Sequence, residues 1–270
     1  MRFNAMALAG GVVLGGILAV ATPAPAALVA SYQFNESSGT TANPSVGSVT
    51  GTLQGSASFV GGGLLGSNAV SLPAPPGSLV NFGQNFGFTG QPFSMEVWVN
   101  TTTGNGIAAA FHYNSVIAGY FLALGNTGDG CGGSAGQVHF YVGYPCSGSS
   151  AATVSDGTWH QLVGTFDGNV SRVYVDGVLQ ASSAGGNSNS APPVGTEFMA
   201  GGISGGSGPE QTYTGLLDNL NLYNTALTAE EVRTAYNNIV NPGTTIPEPG
   251  SLALLGAGVA GLGAMRRRRR

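Results

Sequence analysis

The sequence predicts an all-β fold, two antiparallel sheets packed as a sandwich, and three observations carry that prediction. Short apolar runs with a period of two recur from Leu28 to about Asn238. Clusters of Gly, Ser, Thr, Asn and Asp separate these runs and read as tight turns. No helical stretch intervenes among about a dozen strands, so the apolar faces must be buried sheet against sheet. The composition agrees: 46 Gly and 14 Pro accompany 42% hydrophobic and 9% aromatic residues in a chain of 270, too many core formers for disorder.

Leu28 to Phe34 opens the series, followed by Ala57 to Val60, Ala69 to Leu72 and Leu79 to Phe82. In Phe93 to Val99 the alternation places Phe93, Met95, Val97 and Val99 on one face. Val116 to Leu124 and Val138 to Val142 continue the pattern. A meander comes next, Trp159 to Phe166, Val170 to Asp176 and Val178 to Ala181, with turns at Asp167-Gly168-Asn169 and Asp176-Gly177. Asp-Gly between alternating apolar residues is the strongest short hairpin signal in the chain. Ser182 to Ser190 reads as a loop, Glu197 to Met199 as a strand, and Gln211 to Tyr223 holds the last strands. A short helix then starts with Thr228 as its cap, Glu231 completing a capping box, and Leu227 with Val232 as the hydrophobic staple.

Several of these segments together resemble laminin-G-like, concanavalin A-like jelly-roll domains of the lectin/glucanase type. They are Trp159-His160-Gln161-Leu162-Val163-Gly164-Thr165-Phe166-Asp167-Gly168 with Val173-Tyr174-Val175-Asp176-Gly177, Phe93 to Asn100, Gly215 to Asn224, Ala226 to Glu231, and the opening Asn35 to Thr41. The resemblance implies a jelly-roll β-sandwich over residues 28–240. This chain departs from the family pattern in two places: Asn219 follows Asp218 where the family has an acid, and Gln161 replaces a second His.

The two ends read as addresses. Residues 1–27 form a signal peptide, with Arg2, an apolar stretch from Ala5 to Val20, and Ala24-Pro25-Ala26 for signal peptidase. A linker covers 241–246. Pro247, Glu248 and Pro249 then precede an apolar segment at about 250–265, and Arg266, Arg267, Arg268, Arg269 and Arg270 end the chain. A terminal Arg cluster stays cytoplasmic, which places the sandwich outside the inner membrane. In this order the three parts of residues 247–270 resemble the PEP-CTERM sorting signal. That resemblance implies transient membrane insertion, processing by an exosortase, and an outer-surface or matrix destination in a Gram-negative-type bacterium that makes exopolysaccharide.

Charge excludes one class of partner. There is no Lys, and between residues 27 and 246 only Arg172 and Arg233 face eleven acids, a net of about −9. Nucleic acid is therefore not a partner, since phosphate binding needs clustered cations.

The search for chemistry returns few candidates. Gly132 to Gly136 and Gly202 to Gly206 match Gly-x-Ser-x-Gly without the helix a nucleophile elbow requires. Two glycine-rich segments, Gly61 to Gly66 and Gly256 to Gly261, match a dinucleotide fingerprint without its helix and acid or inside the apolar tail. Glycoside hydrolysis generally needs two facing carboxyl groups, and outside Glu230-Glu231 no two acids lie closer than eight residues. His112, His139 and His160 show no metal-binding spacing, and His160 is read as a structural member of its hairpin.

Asp218 shares parity with Leu216, Leu220 and Leu222 and is read as inward. A buried carboxylate must be paired, hydrogen-bonded or metal-bound. Its two readings are a structural Ca²⁺ ligand, as the family implies, and an acceptor of backbone hydrogen bonds from the Asn43 to Gly55 loop. Cys131 and Cys146 flank one strand in an exported chain and are expected to form a disulfide. Tyr113, Tyr120, Tyr144 and Tyr213 lie in or beside Gly-rich segments and are the candidates for stacking on sugar rings.

The expectation is a non-catalytic surface or matrix module engaging extracellular polysaccharide or a surface protein. Its rivals are a structural matrix component without a discrete ligand and a glucanase-like enzyme.

Overall fold

The computed structural model describes residues 27–74, 77–88, 90–113, 118–127, 131, 133–143, 146–184, 193–203 and 211–243. The signal peptide (apart from Ala27), the Pro-Glu-Pro motif, the apolar tail and the five terminal Arg lie outside the described residues, as does Tyr144.

Sixteen strands and one helix follow in chain order. They are β1 (Leu28–Tyr32), β2 (Thr41–Ala42), β3 (Gly51–Gln54), β4 (Ser58–Gly61), β5 (Asn68–Leu72), β6 (Leu79–Asn81), β7 (Phe93–Asn100) and β8 (Gly106–His112). Then come β9 (Gly119–Leu124), β10 (Gln137–Tyr141), β11 (Ser149–Thr153), β12 (Trp159–Phe166), β13 (Val170–Val175), β14 (Val178–Ala184), β15 (Phe198–Ala200), β16 (Gly215–Tyr223) and α1 (Ala229–Val240). The first sheet runs β14-β13-β12-β7-β16-β5-β4, with β1 also paired to β16; the second runs β11-β10-β9-β8-β15-β6-β3-β2. Every named strand pair is antiparallel.

The core lies between the sheets, as the alternation requires. Phe93, Met95, Val97 and Val99 of β7, Leu162 and Phe166 of β12, and Leu217, Leu220 and Leu222 of β16 face Tyr120, Leu122 and Leu124 of β9 and Val138 and Phe140 of β10. Phe93 anchors this layer, its ring 4.4 Å from that of Tyr120 and 5.8 Å from that of Phe140. Helix α1 covers the outer face of the first sheet, where Leu227 and Val232 pack on Val163 and Tyr174. Its cap has the predicted chemistry: Thr228 Oγ1 accepts from the Glu231 N–H, and Glu231 accepts from the Thr228 N–H in return.

Three strands carry no sequence signal of the usual kind. β8 reads Gly-Ile-Ala-Ala-Ala-Phe-His and is buried throughout, so it shows no alternation. β11 is Ser-Ser-Ala-Ala-Thr and β3 is Gly-Thr-Leu-Gln, neither with the run of bulky residues that marks a strand.

The inward reading of Asp218 is corrected. Its partner across the ladder is Trp98, on the outer face of β7, and Leu217 is the residue that points into the core. The register shifts between Asp218 and Asn221, and Asn219 adopts a left-handed backbone at φ 44°. That bulge exchanges the two faces, and parity counted from Leu220 or Leu222 fails across it.

Candidate functional site

Among the described residues, a pocket of about 190 Å³ opens at one end of the second sheet, lined by Asn105, Gly106, Asn126, Thr127, Gln211 and Thr212. Three chain segments meet there: the turn entering β8, the first residues after β9, and the approach to β16. Each is held by backbone contacts. The Ile107 N–H donates to the Gln211 carbonyl at 3.0 Å, and Ile107 pairs with Thr212 as a parallel bridge. The Gly125 N–H donates to the Gln137 carbonyl at 2.7 Å, and the Asn126 N–H donates to Asn105 Oδ1 at 3.2 Å. The hydroxyl of Thr101 fixes the third segment through the Thr214 carbonyl at 2.7 Å.

Two glycines permit this convergence. Gly106 has φ 130°, and a side chain there would meet the Tyr213 backbone at 2.7 Å. Gly125 has φ 68°, and a side chain would run into the Asn105 amide and the Gly104 carbonyl. Gln211 itself sits in the left-handed region at φ 51°, a conformation that persists only where the surroundings dictate it. The pocket walls are thus set before any ligand arrives.

Behind the pocket, the outer face of the second sheet carries an aromatic layer. The rings of Phe121 and Tyr141 stack 4.6 Å apart and 3° from parallel, with His112 edge-on to both. Ile107, Ala110, Ala123, Cys131 and Ile203 complete this layer. His139, fully buried, lies at 3.3 Å from the Thr127 hydroxyl and connects the layer to the pocket wall. Cys131 and Cys146 form the expected disulfide, their Cα atoms 5.8 Å apart. It ties the segment after β9 to the segment after β10, and Ser149 Oγ donates to the Cys131 carbonyl at 3.2 Å.

The predicted tyrosines do not build this site. Tyr120 is fully buried and its hydroxyl donates to the Phe86 carbonyl; Tyr213 is 1% exposed and its hydroxyl reaches the Asn100 and Leu216 carbonyls at 3.1 Å. Both are core residues whose polar ends are satisfied inside, so neither offers a ring face to a sugar. Tyr113 is half-buried at the end of β8 and does not line the pocket. The residues that do are small amides and hydroxyls in turns, Asn105, Asn126, Thr127, Gln211 and Thr212. The only trace of them in the sequence is an amide beside a glycine at a strand end, as in Asn105-Gly106 and Gly125-Asn126.

Asp218 is 1% exposed, and both its oxygens are occupied by donors. Oδ2 accepts from the Leu64 N–H at 2.9 Å and from the Ser67 hydroxyl at 3.3 Å, and Oδ1 from the Asn219 N–H at 2.7 Å. The donors come from the Gly61 to Ser67 turn and not from the Asn43 to Gly55 loop. A carboxylate facing N–H and O–H donors does not fit a Ca²⁺ ligand, because the cation would need those same lone pairs. Among the described residues, no three His, Cys, Asp or Glu side chains gather to hold a metal ion. Burial pushes the Asp218 carboxyl up to about 6 against the lowering effect of these hydrogen bonds.

The remaining acids serve structure. Glu96, 3% exposed, accepts from Gln161 Nε2 at 2.8 Å, Asn221 Nδ2 at 3.2 Å and the Tyr223 hydroxyl at 3.1 Å. His160 holds the hairpin as expected: its Nδ1 lies 2.7 Å from Asp176 Oδ2, while Asp176 Oδ1 accepts the Gln161 N–H. The bond to Asp176 raises the His160 pKa above its usual value. Arg172 pairs with Asp167 and Arg233 with Glu230. No acid among the described residues lines the pocket. Ser134, of the first Gly-x-Ser-x-Gly, sits in the turn before β10 and so lacks the following helix of an elbow.

Comparison with known proteins follows the same lines. Domain 4 of AbnA, an extracellular arabinanase from Geobacillus stearothermophilus solved with arabinotriose, is 20% identical over 77% of this chain and 98% of that domain, with a TM-score of 0.57. The binding domain of Paraclostridial Mosquitocidal Protein 1 is 16% identical over 79% of this chain, with a TM-score of 0.57, and a Trypanosoma rangeli sialidase mutant with trans-sialidase activity is 14% identical over 78%, with a TM-score of 0.55. This chain spans about half of the former and a third of the latter. At these identities the likeness is one of fold. No curated protein matches the sequence. A PEP-CTERM protein-sorting motif matches residues 245–270, which indicates export, exosortase processing and a surface or extracellular location in bacteria. The family model of the concanavalin A-like lectin/glucanases superfamily, Laminin_G_3, matches residues 66–233, and the chain belongs to that family.

Proposed function

We propose that this protein is a non-catalytic glycan-binding module, exported and sorted to the outer surface or matrix of a Gram-negative-type bacterium, and that the pocket at Asn105, Asn126, Thr127, Gln211 and Thr212 holds the sugar. The observation that carries this reading is the pocket's lining, all amide, hydroxyl and backbone groups on a rim that is already formed. Sugar hydroxyls both donate and accept, and Asn, Gln and Thr side chains match them in either role. A preformed site lowers the ordering cost of binding such a polar ligand.

The arabinotriose complex of the arabinanase domain supports the reading, because a domain of this fold and almost this extent carries a sugar there. Hydrolysis is the less favoured reading, since it calls for two carboxyl groups about 5–10 Å apart across the bond and no described acid lines the pocket. The aromatic layer is internal, so recognition rests on hydrogen bonds at the rim and not on an exposed stacking platform.

A glycan array probed with the mature full chain tests this. Saturable binding to a defined sugar, lost in Asn126→Ala and Thr127→Ala variants that keep the wild-type melting temperature, is the expected result. Absence of saturable binding across the array would leave a structural matrix role in its place. Reducing-sugar release from the bound glycan would restore the enzyme reading.

A further inference from the structure

The chemistry of the pocket narrows the class of sugar, and this step rests on the glycan-binding reading above. We infer that the site takes neutral glycans and rejects those bearing uronate, sialate or sulfate groups.

An anionic sugar needs a cation, a helix N-terminus or a free cluster of donors to replace its hydration. The pocket has no charged lining residue. Between residues 27 and 246 the chain has only two Arg and no Lys. Arg172 lies on β13, 2.8 Å from Asp167, and Arg233 lies on α1, 2.6 Å from Glu230. Both belong to the first sheet and its covering helix, whereas the pocket is built on β8 and β9 of the second. Neither cation reaches the site, and each already has its own carboxylate.

The helix N-terminus is also taken. Helix α1, the one α-helix among the described residues, has its first turn closed by the reciprocal Thr228–Glu231 bonds and carries Glu230 beside them. The imidazole nearest the pocket belongs to His139, which is fully buried beneath Thr127 and meets the pocket only through that hydroxyl. Around this uncharged cavity the folded span carries a net charge of about −9, whose field opposes the approach of a polyanion.

Neutral ligands meet none of these obstacles. Asn105 and Asn126 are exposed at the mouth and Thr127 is buried at the wall, a gradient that presents amides first and a hydroxyl deeper. Because no ion pair contributes, affinity for a neutral glycan is insensitive to salt.

The test compares binding of the mature full chain to neutral oligosaccharides (arabinan, galactan, xylan and β-glucan fragments) and to acidic ones (polygalacturonate, alginate, hyaluronan and heparin fragments) by calorimetry. The expected result is saturable binding within the neutral set and at least ~tenfold weaker binding throughout the acidic set. Neutral affinity should change less than about twofold between low and high NaCl. Asn126→Ala should weaken neutral binding. Asn126→Arg, at an exposed position that leaves the fold intact, should gain acidic-glycan binding that salt abolishes. Acidic fragments bound as tightly as neutral ones by the wild-type chain overturn the inference while leaving glycan binding standing, and so does an Asn126→Arg variant that gains nothing. Silence in both sets removes the glycan-binding reading itself.

Discussion

The two outer faces of the sandwich are covered by different means. On the first sheet the cover is regular structure: α1 lies over β7, β12 and β13, with Tyr236 stacked 5.8 Å from Trp98, and the polar groups beneath it are bonded to one another around Glu96. On the second sheet the cover is made of connecting segments held by the Cys131–Cys146 bridge over an aromatic layer, and it opens into the pocket. A helix fixes one arrangement through its own ladder of hydrogen bonds. Tethered segments can change their side chains without disturbing a ladder, which is where binding groups are expected on a rigid scaffold.

The largest effect should come from the helix-covered face. Glu96→Ala removes the acceptor shared by Gln161, Asn221 and Tyr223 and leaves a void, a loss of about 3–5 kcal/mol in urea denaturation. Wild-type stability for this variant would show that the network is dispensable and the contrast between faces overstated.

Next comes the disulfide. Replacing both Cys131 and Cys146 with Ser opens a 15-residue closure and should cost about 3 kcal/mol. Unlike Glu96→Ala, it should also weaken glycan binding in conditions where the protein stays folded, because the segment carrying Asn126 and Thr127 loses its tether. Unchanged affinity would separate the bridge from the pocket.

A comparable change should follow pH. Asp218 has a folded pKa of about 6, above the ordinary carboxylate value of 3.8. The native state therefore binds this proton more tightly than the unfolded chain, and stability falls as pH rises from about 4 to 6, by up to about 3 kcal/mol. Asn at position 218 mimics the protonated acid, so Asp218→Asn should flatten thermal melts across that window. His160 acts in a later window. Its raised pKa contributes stability that is complete below about 6.5 and is lost as pH climbs through the folded value, a loss His160→Gln should remove. Added Ca²⁺ or EDTA should leave the melting temperature unchanged, and a rise with Ca²⁺ that disappears in Asp218→Asn would reinstate the metal reading.

The smallest effect belongs to the helix cap. Thr228→Ala should cost about 1 kcal/mol and leave glycan binding untouched, since it acts on the face away from the pocket.

Legibility in the sequence follows the same division. β7, β12, β13 and β16 announce themselves through Val, Leu, Phe and Tyr at alternate positions, and Asp176-Gly177 marks their hairpin. The cap of α1 and the cysteine pair are legible because each depends on local spacing or on having no alternative partner. β8 is not, because a strand buried on both faces and built from Ala has neither alternation nor bulk. Asp218 misleads because a bulge is invisible to parity, and its outward turn becomes evident only with Asn219 at φ 44°. The pocket is the least legible part. Its walls lie near residues 105, 126 and 211, brought together by pairings among strands far apart in the chain, while the large tyrosines that attract attention are consumed by the core.

Helix α1 packs across the Asp176-Gly177 turn, where Gly177 lies against Arg233 and Tyr236, and the chain then runs on toward its sorting signal. The leash by which this protein is delivered and fastened therefore leaves from the helix-covered side. A domain held from that side turns its other layer, with the pocket, toward whatever lies beyond the cell, so anchoring and recognition do not compete for the same surface.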